Sequence, residues 1–119
     1  MTTIKSYTDI EQSKKLAKIL PIESADMYYA YYHNPVSGAS YYEEYPMFYK
    51  PICNPNESVP CWSLAALLNV LPKSLIYTPN QALDGYCCKN IMHDLETYGD
   101  NPVDACVAMI EKLNELKML

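Results

Sequence analysis

NPVDACVAMIEKLNELKML, Asn101 to Leu119, is the stretch whose reading decides the fold. Asn101 is a favoured helix N-cap, and Pro102 stands in the first turn, where a missing N–H costs no hydrogen bond. Asp104 places a carboxylate at the positive end of the helix dipole. At about 100° per residue, Val103, Cys106, Val107, Met109, Ile110, Leu113 and Leu116 gather on one side, while Asp104, Glu111, Lys112 and Glu115 take the other. The spacing predicts a helix with one face to bury and no chemistry of its own.

Working back toward the N-terminus, Val59 to Leu71 is the longest apolar run. Ser58 reads as its cap, Pro60 falls in its first turn, and Pro72 ends it. A helix that is apolar on nearly all sides is usually buried on all sides, so Cys61–Leu71 is expected to be the central helix of the core. Leu64, Leu67 and Leu68 are all expected to fill it. Thr8 to Leu20 predicts the first helix, with Thr8 and Glu11 in capping-box spacing, Ile10, Leu16, Ala17, Ile19 and Leu20 on its apolar side, and Pro21 as the stop. Lys14, Lys15 and Lys18 form its solvated side.

The remaining segments read as strands. ADMYYAYYH, Ala25 to His33, alternates so that Met27, Tyr29 and Tyr31 share one face and Asp26, Tyr28 and Tyr32 the other. After the turn formers Asn34 to Gly38, YYEEYPMFYK from Tyr41 to Lys50 returns as an antiparallel partner that Pro46 confines to a sheet edge. Residues 50–58 read as an irregular loop. Further strands are expected at 74–78 and 85–92 around a turn in PNQALDG, with a third at 94–98 left open. The order α-β-β-α-β-β-(β)-α lacks the strict alternation of a doubly wound fold. It predicts an α+β class, in which about three helices pack on an antiparallel sheet of four to five short strands, over residues 1–119 as a single domain.

Composition narrows the functions. Hydrophobic residues make up 50% and charged residues 19%, which places the chain among packed globular domains. The net charge is −5, and all nine basic residues are lysines. Without arginine the chain lacks the planar fork that reads guanine and grips phosphate, so neither nucleic acid nor an anionic membrane is an expected partner. The apolar run is too short to cross a bilayer. Five cysteines, an odd number, and the absence of an apolar leader in MTTIKSYTDIEQSKKL predict a reducing, cytoplasmic setting.

Candidate chemistry is sparse. Cys87, Cys88 and His93, with Cys53 or Cys61, raise the question of a metal, but adjacent cysteines on a strand point to opposite faces and none is expected. His93 beside Asp94 reads as a solvated pair rather than the base of a thiol enzyme. Glu43 and Glu44 face apart, and Gly38, Gly85 and Gly99 form no phosphate loop. No cofactor and no catalytic residue are expected. Cys61 and Cys106 read as small buried hydrophobes.

The tyrosines are the distinctive feature: twelve, against one Phe and one Trp. A core built only for packing would use phenylalanine more freely, whereas tyrosine suits interfaces. Tyr28, Tyr32, Tyr41, Tyr42, Tyr45 and Tyr49 are the candidate contact residues. Two readings stay open for the cluster: cross-strand pairs and core faces, or a surface for a protein partner or a second copy of the chain. A rival function is a small-molecule-binding domain or small enzyme with a pocket near Trp62, Cys61 and His93.

The pieces DMYY at 26–29, CWSLAALLNVLP at 61–72 and NPVDACVAMIEKLNELK at 101–117 resemble small uncharacterised proteins encoded by phages and mobile elements of gut bacteria. The resemblance spans most of the chain outside residues 33–58. It implies a cytoplasmic setting and a mobile-element origin, and brings no activity and no catalytic residues with it.

Overall fold

A computed structural model describes residues 5–33, 35–42, 45–47, 58–71, 73–78 and 85–119. The class is α+β, with three α-helices and small antiparallel sheets among the described residues. The chain divides into two compact units, residues up to Thr8 with Ser63–Leu119, and Asp9–Trp62.

In the first unit, α2 spans Leu64–Val70, β5 Ser74–Tyr77, β6 Tyr86–Asn90, β7 Leu95–Gly99 and α3 Pro102–Glu115. The strands form an antiparallel sheet in the order β5-β6-β7, so the segment left open at 94–98 is a strand. Its register places Tyr77 opposite Cys87 and Cys87 opposite Tyr98, while Cys88 lies opposite Thr97. Helix α3 begins as its spacing predicts. Asn101 Oδ1 accepts the Asp104 N–H at 2.9 Å, Pro102 occupies the first turn, and Lys5 pairs with the Asp104 carboxylate at 3.1 Å. Val103, Cys106, Val107, Met109, Ile110 and Leu113 are buried, whereas Leu116 at the last turn is exposed.

α3 packs against β6 and β7, and two contacts fix its distance. The Thr97 hydroxyl donates to the Ala105 carbonyl at 2.8 Å. Gly99 lies so near the helix backbone that a Cβ there would meet the Ala105 nitrogen at 2.5 Å. Glycine is required at 99 for this approach.

Helix α2 departs from expectation. The segment 61–71 is not one helix: Ser63 is the cap, its hydroxyl accepting the Ala66 N–H at 3.2 Å, and only seven residues follow. Two turns present one side to α3, where Leu67 is fully buried; Leu64 is half-buried and Leu68 is 37% exposed. The run is therefore apolar all round without being buried all round.

The second unit holds α1 (Ile10–Ala17), a 3-10 turn at Ile22–Ser24, and strands β1 (Met27–Tyr29), β2 (Tyr31–His33), β3 (Ser40–Tyr42) and β4 (Val59–Cys61). α1 starts one residue later than Thr8 suggests. Asp9 is the N-cap and Gln12 closes the capping box, with reciprocal bonds of 2.8 and 3.1 Å, while Thr8 is buried. The expected strand 25–33 breaks at Ala30, so that β1 pairs with β4 and β2 with β3.

Strand β4 occupies residues expected to lead into a helix. Proline is tolerated there because of its partner: the N–H and C=O of Tyr28 bond Met47 at 2.7 and 2.8 Å, so they face away from Pro60, which sits opposite Tyr28. Successive strand residues alternate their bonding direction, so this pair requires no N–H from the proline. Among the described residues, seven strands replace the four to five expected because 25–33 divides at Ala30 and 59–61 adds one more. The expected turn in PNQALDG lies mostly outside the described residues.

Candidate functional site

Strands β2 and β3 hold three of the six tyrosines singled out by the sequence, Tyr32, Tyr41 and Tyr42. Their register sets Tyr31 opposite Tyr42 and Tyr32 opposite Tyr41. Tyr31 and Tyr42 meet edge to face, with centroids 5.1 Å apart and planes at 60°. The Lys14 ammonium stands 4.9 Å above the Tyr42 ring, a cation–π contact that anchors α1 to this hairpin. Tyr42 and Tyr28 are half-buried and serve the fold. Tyr41 is 56% exposed and Tyr45 66% exposed. Tyr49, Cys53, Glu43 and Glu44 lie outside the described residues.

A second tyrosine cluster, on the sheet of the other unit, escapes sequence reading. Cys87, Lys89, Leu75, Tyr77, Glu96 and Tyr98 share the face of the β5-β6-β7 sheet opposite α3, as register and alternation require. Tyr77 donates to Glu96 Oε1 at 3.1 Å and Tyr98 to Oε2 at 2.9 Å, and Lys89 stands 3.7 Å from the same carboxylate. The Tyr77 hydroxyl also lies within hydrogen-bonding reach of the buried Cys87 thiol. That contact, then partial burial and the Glu96 bond, hold its ionisation well above the usual phenol range. Tyr98 shifts the same way, chiefly through Glu96. Alternation within LETYG was the one available signal, since it puts Glu96 and Tyr98 on one side.

The cysteines separate as adjacent strand residues must. Cys87 faces the tyrosines, whereas Cys88 faces α3, where the neighbouring Cys106 thiol holds its ionisation below the usual thiol range. The four described cysteines are buried and none is in a disulfide. His93 is exposed in the β6–β7 turn, its backbone N–H held by Asn90 Oδ1 at 3.0 Å. Cys61 and Trp62 belong to the other unit and are fully buried; the Trp62 indole N–H donates to the Ser24 hydroxyl at 2.9 Å. The rival site is thus made of two sealed side chains and one exposed imidazole.

Among the described residues, no group of three or more His, Cys, Asp or Glu side chains is placed to hold a metal ion. No helix among them is long and apolar enough to cross a membrane. An open depression of about 370 Å³ is lined by Asp9, Ile10, Glu11 and Tyr29. Asp9 there is committed to capping α1. No family model, curated protein or solved structure matches the chain.

Proposed function

We propose that this protein acts by contact with another protein, without catalysing a reaction, and that Tyr41 and Tyr45 lie at the centre of that contact. The supporting observation is how one unit sorts its tyrosines. Tyr29 is buried, Tyr31 and Tyr42 pack on each other, and Tyr41 and Tyr45 leave more than half of their surface in water. Flat amphipathic rings presented in this way suit an interface that is dry at its centre and hydrogen-bonded at its rim. The phage or mobile-element setting suggested by the resemblance belongs to the same proposal.

Light scattering over a range of concentrations separates the two partners. A dimer that weakens in the Tyr41→Ala/Tyr45→Ala double variant supports self-contact. A monomer at every concentration directs the search to a host protein captured from lysate. Capture that proceeds equally well with the double variant overturns the proposal.

A further inference from the structure

On the face of the β5-β6-β7 sheet opposite α3, two phenols converge on one carboxylate. Tyr77 donates to Glu96 Oε1 at 3.1 Å and Tyr98 to Oε2 at 2.9 Å, so one bond holds each oxygen. A carboxylate oxygen accepts about two hydrogen bonds, which leaves an acceptor site on each of them. Lys89 stands 3.7 Å from Oε1 and 3.6 Å from Asp94 Oδ1, an ion pair with both beyond hydrogen-bonding distance. Beside this oriented carboxylate the Tyr98 ring is 62% exposed, and Leu75 on the same face is 40% exposed.

We infer that this face docks a short basic segment of another protein through an arginine, whose guanidinium bonds both oxygens of Glu96 and lies against the Tyr98 ring. Geometry, charge and size select that occupant. Two acceptor sites on one planar, fixed group match the parallel N–H bonds of a guanidinium fork, whereas an ammonium is a point charge. A carboxylate already held by two phenols loses little further freedom when it is bound. An exposed tyrosine ring beside it attracts a cation in its own right. Asp94, Glu96 and Asp100 against Lys73 and Lys89 leave this side negative, in keeping with the net charge of −5, so a basic segment is favoured on approach. Three strands of four or five residues offer a footprint of only about 14 by 17 Å, roughly 240 Å². Each side of a stable protein pair buries about 800 Å², so the face suits a short segment better than a second copy. A second copy also has no arginine to offer, since all nine basic residues are lysines. The contact is separate from the one at Tyr41 and Tyr45, which belong to the other unit.

The test titrates the full isotope-labelled chain with two synthetic peptides, acetyl-Leu-Arg-Leu-Arg-amide and its lysine counterpart, and follows the backbone amides by NMR. Shifts are expected at residues 75–77, 87–89 and 96–98, with the arginine peptide bound about two- to fivefold more tightly, the margin of one further exposed charged contact. Glu96→Gln is expected to remove the preference for arginine, and the Tyr41→Ala/Tyr45→Ala double variant to keep it. Equal affinity for the two peptides, shifts centred elsewhere, or none at millimolar peptide would overturn the proposal, and these readings come from the unaltered chain. Shifts of the same amides when the protein alone is concentrated would also overturn it, by marking a second copy as the occupant.

Discussion

Each of the two units keeps its own shape by different means. In the unit that carries α3, a helix of 14 residues lays Val103, Cys106, Val107, Met109, Ile110 and Leu113 into a buried stripe beside five-residue strands. In the Asp9–Trp62 unit the strands are three residues long, too short for a ladder alone to pin their register. There the register rests on separate local hooks: the indole of Trp62 on Ser24, the Tyr31–Tyr42 ring pair, Lys14 over Tyr42, and the two backbone bonds between Tyr28 and Met47. A long amphipathic stripe tolerates polar change and punishes lost volume. A set of hooks does the reverse.

The largest expected effect lies in the first unit. Leu67→Ala deletes a fully buried side chain between α2 and its surroundings and is expected to cost about 2–5 kcal/mol, whereas Leu68→Ala, at a partly exposed site on the same helix, is expected to cost well under about 1 kcal/mol. Urea denaturation followed by far-UV circular dichroism checks both. Equal losses would break the distinction between a one-sided and an all-round buried helix. Gly99→Ala comes next, at about 3 kcal/mol, since a methyl group 2.5 Å from a backbone nitrogen forces α3 off the sheet. The same measurement checks it.

In the hooked unit the corresponding change is polar. Ser24→Ala removes almost no volume but takes away the acceptor of the Trp62 indole, and an expected cost of about 1–3 kcal/mol follows from desolvating that donor. Trp62 is the single tryptophan, so its fluorescence reports this unit directly. An unaltered midpoint would show that packing, rather than the hook, holds the indole.

The same contrast explains what the sequence made legible. α3 could be read to the residue because cap, proline, acid and periodicity all act within one continuous segment. α1 was displaced by one residue because Thr8 and Asp9 are both good caps, and only the reach of Gln12 back to the Asp9 N–H decides between them. Strand β4 was hidden because Pro60 is as suited to a first helical turn as to an unbonded strand position, and the choice depends on which way Tyr28 points its amide, thirty-odd residues away. Of the six tyrosines expected at a contact surface, Tyr41 and Tyr45 are well exposed, while Tyr28 and Tyr42 are half-buried, Tyr42 between Lys14 and Tyr31. The Tyr77–Glu96–Tyr98 cluster depends on register across three strands, which no single segment encodes.

A smaller gain is available at the end of α3. Lys117 adopts φ +57° where the Met118 N–H reaches back to the Leu113 carbonyl at 2.8 Å, an arrangement that glycine enters without steric cost. Lys117→Gly is expected to stabilise the unit by about 1 kcal/mol, the usual penalty for a side chain in that conformation. Thermal unfolding of the two proteins side by side measures it. A loss instead would mean that the lysine side chain contributes more than its backbone costs.

The smallest effect concerns the phenols on the open sheet face. Tyr77 and Tyr98 are both held above the ordinary phenol range, so the folded chain keeps their protons more tightly than the unfolded chain does. Stability from this source is complete below about pH 10, where both states are protonated, and is lost as pH rises beyond that value and the unfolded tyrosines ionise first. Tyr98→Phe is therefore expected to flatten the alkaline decline in denaturation midpoint while leaving the midpoint at neutral pH nearly unaltered. A slope that Tyr98→Phe leaves as steep as before would mean that the Glu96 carboxylate is not what holds this proton.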